Sequence, residues 1–400
     1  KKYLTNSDNY FSFPAKEGEN LVEIFYVPRD PNKTGCSIEI DSSIINGSVS
    51  LSQNKQLKNF YVSIYPRANE GYILDSIVIN EEYYVSLNLK KIFEFKTLFL
   101  KNSVFCSFIK EGNSVDYAID EFNSYIEGKD ITSIDFSKEE VINKFGYGSL
   151  ARISFSRLSS ITAYVSKGYN FANSITFSNL QHTNTTTYKN SLGYFKENIT
   201  FSNNIQMAER MYSEPGSINY FITSGKENVP SVDIAHFDEN SGKKYDKKDF
   251  ILKFGSYPFD PIDYLFYNSY VVDEKVTIDN ETFNNQLELI DNFYYLTIVL
   301  DANASYNHAK YMYTTTNFDG APSIAKQSAL PIYNQLAIKI KLNREFIPVA
   351  YITRENYDVQ ALLKVNTIGK GKTTFTFVEK ALPTFSDKVD YSSSFGDLEL

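Results

Sequence analysis

Leu336, Ile338, Ile340 and Leu342 alternate with Ala337, Lys339 and Lys341. A period of two belongs to an extended strand with one buried face, because successive strand side chains point to opposite sides. The other apolar runs are also strand-length. Runs at 21–27, 37–40, 60–65, 72–79 and 91–100 are separated by Pro28 and Pro31, Asn46-Gly47, Pro66 and Glu70-Gly71. Such punctuation predicts a small sandwich or sheet. Beyond residue 286 the pattern is strand throughout, at 287–300, 336–342, 348–353, 361–366 and 373–378. Aromatic residues make up 16%, as 31 Phe and 31 Tyr with no Trp, a bias that suits pleated, half-buried surfaces.

Between these regions the period changes. Val115, Ile119, Phe122 and Ile126 follow Ser114 at helical spacing. Ser137 with Glu140 reads as a capping box before Val141, Ile142 and Phe145, and Gly146 ends that helix. Tyr147-Gly148 then opens an expected strand, with Ala151, Ile153 and Phe155 on one face and Arg152, Ser154 and Ser156 on the other. Residues 158–216 are polar with brief apolar patches, compatible with amphipathic hairpins or with a long ordered loop. A helix is expected at 246–254, with Phe250, Ile251 and Phe254 on one side.

The expected fold is therefore α+β and mainly β, an elongated multi-module chain with a central bent antiparallel sheet and a C-terminal β-sandwich. The modules are an N-terminal β module (1–90), a central sheet with flanking helices (91–285), the sandwich (286–380) and a polar tail (381–400). Helices near 114–127, 137–145 and 246–254 are expected to pack on a sheet holding 149–156, 218–223 and 262–272.

Charge and chemistry narrow the function. A net charge of −8 argues against nucleic acid, which needs a basic face. Lys243, Lys244, Lys247 and Lys248 are offset by Asp246 and Asp249. No run approaches the roughly 18 apolar residues of a transmembrane helix. Cys36 and Cys106 could pair in an exported protein. His182, His236 and His308 have no second ligand at helical spacing, and no Cys–His cluster exists. Gly369-Lys370-Gly371-Lys372 reads as a β-turn, and Asp301, Asn303 and Ser305 lack the Gly and distal Glu of a calcium loop. No catalytic residue, cofactor or metal is expected, and the chain reads as a non-enzyme. An enzyme would need an unseen carboxylate pair working on glycans.

The order of segments resembles the thiol-activated (cholesterol-dependent) cytolysins and, more distantly, the perforin-like superfamily. The resemblance runs from Phe13-Pro14-Ala15-Lys16-Glu17-Gly18, through Tyr147-Gly148 and its strand and the strand ending near Gly225, to a terminal sandwich at 287–378. It implies a secreted or cell-surface protein that binds a membrane surface or a surface receptor or glycan and assembles into homo-oligomers. Without Trp, cholesterol recognition does not carry over. The family's contact loop would fall at 344–356, and its Thr-Leu pair at Thr374-Phe375, without the Leu. Two placements are open for Phe346 and Ile347. They tuck into the core as part of a strand-to-strand turn, or they project as an apolar anchor ringed by Arg344 and Arg354. The alternative function is a non-lytic adhesin or structural β protein of a bacterial surface or phage particle.

Overall fold

The computed structural model describes residues 35–80, 82–85, 93–97, 99–110, 115–174, 179–202, 205–214, 216–224, 242–262, 270–317, 327–360, 363–384, 387, 389–390 and 397–400. The chain is mainly β with some α, as the period-two runs require.

The N-terminal strands form two sheets that share one core. One sheet has the order β3 (Lys55–Gln56), β1 (Cys36–Ile40), β8 (Lys101–Lys110), β5 (Tyr72–Ile79) and β6 (Glu82–Val85). The other has β2 (Gly47–Leu51), β4 (Tyr61–Ala68) and β7 (Phe93–Lys96). Ile38, Ile77, Ile79, Val104 and Cys106 of the first pack against Val62, Ile64 and Phe95 of the second. This unit extends through β8, past the expected boundary at residue 90. Both cysteines are buried and free. Parallel pairing sets Ser37 beside Lys101 and Ile40 beside Val104. Cys106 therefore sits about six residues, or ~20 Å, further along the ladder than Cys36, beyond disulfide reach.

The rest of the chain is built on an eleven-stranded antiparallel sheet. Its order is β14 (Lys243–Asp246), β13 (Ser217–Ser224), β12 (Ile205–Glu214), β11 (Gly193–Ser202), β10 (Asn179–Asn190), β9 (Tyr164–Ser174), β21 (Lys364–Thr376), β20 (Pro348–Gln360), β19 (Ile332–Leu342), β18 (Phe293–Leu300) and β17 (Gln286–Ile290). A separate hairpin, β15 (Val276–Ile278) with β16 (Glu281–Phe283), packs on the face opposite the helices, against Val299 and Ala337. The strands after residue 286 do not form a free-standing sandwich. β21 pairs with β9 over ten positions, Thr367 with Ser174 through Thr376 with Val165, so one sheet crosses the expected boundary at 285.

On one face of the sheet lie α1 (Val115–Ile126), α2 (Glu139–Phe145) and α3 (Tyr147–Ser160). Phe122, Phe145, Leu150, Ile153 and Phe155 from these helices join Leu296, Ile298, Leu336, Ile338, Ile340 and Leu342 in the largest core. The alternating residues of β19 thus face inward as their period predicts. α4 (Lys247–Phe254) and α5 (Tyr306–Thr316) cover the other end of that face, where Phe250, Phe254 and Tyr311 meet Met211, Ile218 and Tyr220.

Several expectations are corrected. Residues 149–156 are helical, the middle of α3, and not a strand. Its buried residues, Ser149, Leu150, Ala151, Ile153, Ser154, Phe155 and Leu158, wrap around most of the helix, which blurs the 3.6-residue period into apparent alternation. Ser137 does not cap α2; its amide and hydroxyl bond to Asp135, and Lys138 stands at the N-cap. Of the two readings open for 158–216 the hairpins are the ones found, as four antiparallel strands of the sheet, while Gly369–Lys372 lies inside β21 and not in a turn. The last twenty residues are not all solvent-exposed. Val389 is buried against Ile199, Ala208 and Phe221, and the carbonyl of Asp387 accepts from Arg210 Nη1. Of the expected 262–272 strand, residues 263–269 lie outside the described residues, as does the Phe13–Gly18 segment.

Candidate functional site

The middle of the large sheet is chemically unlike its two ends. On the face that carries the helices, hydrogen-bonded neighbours form rows across adjacent strands. One row reads Thr353, Gly371, Asn170, Thr183 and Thr200. The next reads Thr373, Gly168, Thr185 and Asn198. A third reads Glu355, Gly369, Ala172 and Gln181. A sheet face packed under helices is ordinarily apolar, since that is where burial stabilises the fold. Here five strands present hydroxyls, amides and bare backbone between two apolar cores. Water reaches them: Asn170 and Gln181 are exposed, and Thr183, Thr185 and Thr200 are half-buried.

The polar groups bond to one another across the strands. The Thr183 and Thr200 hydroxyls lie 3.0 Å apart, and the Thr185 hydroxyl donates to Asn198 Oδ1 at 2.8 Å. Asn198 Nδ2 donates to Glu209 Oε2 at 3.1 Å and to the Tyr311 hydroxyl of α5 at 3.3 Å. The Tyr220 hydroxyl donates to Glu209 Oε1 at 2.8 Å. Burial pushes the Glu209 carboxyl above the usual carboxylate range, against the pull of these donors and of Lys196. The Tyr220 phenol is pushed up by burial and by the neighbouring carboxylate.

Glycine keeps the strip flat. A Cβ on Gly371 would lie 2.4 Å from Asn170 Oδ1 and 2.6 Å from Thr353 Oγ1, and one on Gly369 would lie 3.0 Å from Glu355 Oε2. At the end of the strip Ser174 is buried, and its hydroxyl has no hydrogen-bond partner among the described residues. Two concavities, of about 370 and 460 Å³, lie off the strip. The first is beside the β10–β11 turn, and the second is on the opposite face near Arg354 and Lys339.

The residues singled out in the sequence lie elsewhere and serve the core. Phe346 is buried at φ +60, and its ring sits 4.6 Å from Phe136, 5.6 Å from Tyr294 and 5.9 Å from Phe122. Ile347 is buried beside it. Of the two open placements, the tucked turn is the one found. Arg344 donates from Nε to the Thr132 carbonyl and from Nη1 to the Tyr294 hydroxyl, capping the 3₁₀ turn at Ile131–Ser133. Arg354 is buried between Glu281 and the Leu398 carbonyl. Thr374 and Phe375 point to opposite faces of β21. Phe375 is buried between Tyr164 and Tyr351, while the Thr374 hydroxyl reaches only the Lys167 carbonyl, at 3.5 Å. Tyr147 begins α3, its phenol raised by burial and by Asp273, and Gly148 is buried one residue on. Gly225 lies outside the described residues.

The strip itself was missed. Its signal was present in the Thr183, Thr185, Thr187 alternation and in Gly369 and Gly371 set between Lys370 and Lys372. Both are period-two patterns written in polar residues.

No protein-family model and no curated protein matches the sequence. Solved structures similar to it include an outer membrane lipoprotein-sorting protein domain from Vibrio parahaemolyticus, at 6% identity over 57% of this chain and 89% of that one, TM-score 0.19. Another is a DUF1329 family protein from Desulfovibrio piger, at 8% identity over 57% of this chain and 90% of that one, TM-score 0.18. Likeness at that level establishes no shared family and no shared function. The resemblance drawn from segment order falls on the structure: the Tyr147-Gly148 segment opens a helix, and the terminal strands continue the main sheet. The resemblance to the cytolysins is therefore not upheld.

Proposed function

We propose that this chain is a surface or periplasmic binding protein, not an enzyme, whose polar strip takes a neutral, extended, polyhydroxylated ligand of the glycan class. The observation that carries the reading is the pair of rows Thr353–Gly371–Asn170–Thr183–Thr200 and Thr373–Gly168–Thr185–Asn198. They offer paired donors and acceptors with no titratable group, and Gly168 and Gly371 leave room for the neighbouring Thr and Asn side chains to close over them. Neutral hydroxyl and amide groups suit sugar hydroxyls better than phosphates or carboxylates, which call for Arg, Lys or helix amides. The nearest carboxylates, Glu209 on β12 and Glu355 on β20, border the strip five strand spacings apart. That is about 24 Å along the sheet, against the roughly 5–9.5 Å of a glycosidase pair.

The test is a glycan array with the full chain and with the Thr183→Val, Thr185→Val double variant. Valine keeps the shape and removes two hydroxyls, so affinity for the glycans the wild type captures should fall about tenfold. No reducing ends should be released. Equal capture by the folded variant, or no capture of any neutral glycan by the wild type, would sink the reading.

A further inference from the structure

A second surface lies on the N-terminal unit, and it is apolar. Phe60 is 55% exposed, Tyr61 63%, Phe99 55% and Leu100 80%. They come from two neighbouring loops, one entering β4 and one entering β8. Elsewhere among the described residues, exposed large apolar side chains stand singly or as sequence pairs, such as Leu192, Leu363 or Leu289 with Ile290. Four on two adjoining loops make a patch.

The loops are built to display these side chains. Thr97 is fully buried, and its hydroxyl donates to the Leu57 carbonyl at 2.7 Å. Its amide donates to the Phe60 carbonyl at 3.0 Å, and its own carbonyl accepts from the Asn59 amide at 2.7 Å. Asn59 adopts φ +68, the left-handed turn that aims Phe60 outward. Asn102, also buried, donates to the carbonyls of Phe99 at 2.8 Å and Ser37 at 3.2 Å. Buried polar side chains thus pin both loops, and an apolar tip held this way is not the fraying of a loose turn.

The tip is also cationic in a chain whose net charge is −8. Lys58 stands two residues before Phe60 in the first loop, Lys96 lies directly across from Tyr61 in the β4–β7 ladder, and Lys101 follows Leu100; all three are exposed. Among the described residues, the exposed acidic neighbours are Glu39, 4.0 Å from Lys101, and Glu94, two residues before Lys96.

We infer that this tip seats on an anionic lipid bilayer, with Phe60, Tyr61, Phe99 and Leu100 entering the headgroup boundary and the lysines meeting lipid phosphates. Aromatic and leucine side chains beside lysines match both layers of such an interface, the acyl boundary and the negative headgroups. An acidic protein partner would use the lysines but leave Phe99 and Leu100 without a counterpart. The site is independent of the polar strip, which lies on the other sheet.

The test is co-sedimentation of the full chain with phosphatidylcholine vesicles, with and without phosphatidylglycerol. The expected result is binding to the phosphatidylglycerol vesicles only, weakened by salt as lipid charge is screened. The Phe99→Asp, Leu100→Asp variant should lose about tenfold or more in vesicle affinity. The Lys58→Glu, Lys96→Glu variant should lose binding while keeping its melting temperature, since both side chains are exposed. Wild-type protein that ignores both vesicle types would overturn the proposal. So would variants that bind as the parent does, or Phe99→Asp, Leu100→Asp converting a dimer to a monomer in sedimentation, which would mark a contact between copies.

Discussion

Phe346 shows how much one residue's surroundings decide. Its neighbourhood in sequence, two apolar residues before a proline and between arginines, fits an exposed anchor as well as a buried turn. The deciding partners, Phe122 and Phe136, lie more than two hundred residues earlier, so nothing local could fix the direction. A phenylalanine at φ +60 is conformationally costly, and here the backbone conformation is held by a four-ring aromatic cluster. Glu209 presents the opposite case, a charged residue carried inside. Its folded-state acidity is weakened by burial, so the folded chain holds this proton more tightly than the unfolded chain does. The sign follows from that. The group's contribution to stability is complete below the ordinary glutamate range and is lost as pH rises through its elevated folded value. Thermal melts across that range should therefore show a smaller decline with rising pH for Glu209→Gln than for wild type. Parallel curves would mean that Glu209 is already ionised throughout.

At the scale of elements, what could be read was whatever buried a single apolar face. α1, α4 and β19 follow their periods, and each lies where its stripe of Phe, Ile and Leu meets a core. The strands from β9 to β12 stayed undecided between hairpins and a loop, because many helix-side residues of β9, β10 and β11 are Thr, Asn or Gly and their period is polar. The candidate site was unreadable for the same reason that makes it a site. α3 failed differently, since a helix buried on most sides has no clean face. Its start depends on Gly146, at φ +77 and ψ 155, which ends α2 and caps α3 in a region of backbone space open almost only to glycine. Replacing it with alanine should cost about 1–3 kcal/mol in denaturant unfolding, with no change in the slope. A loss within a few tenths of a kcal/mol would show that the corner relaxes into an ordinary conformation.

For the molecule as a whole, the N-terminal strands close their own core around Ile64, Ile77 and Val104, but the expected boundary at residue 90 cuts off β7 and β8, which belong to it. The sequence also misleads about the C-terminal strands, which look self-sufficient in pattern but are half of a sheet. Strand pairing at long sequence range, β21 with β9, leaves no local mark. That difference is open to direct trial. A fragment of residues 286–380 keeps the pairings among β17, β18, β19, β20 and β21. It loses the ten-position seam to β9, so a long strand becomes an unpaired edge. It also loses α1, α2 and α3, and with them the cover over Leu296, Ile298, Leu336, Ile338 and Ile340. Each of those side chains stabilises the intact chain by roughly 1.5–3 kcal/mol when fully buried, a sum comparable to the whole margin of an ordinary domain. The fragment should therefore aggregate or melt without a cooperative transition, whereas residues 111–400 should unfold in one. Circular dichroism melts and limited proteolysis of both pieces decide the matter. A cooperative melt from 286–380 alone would make the β9–β21 seam an interface between two separate folding units.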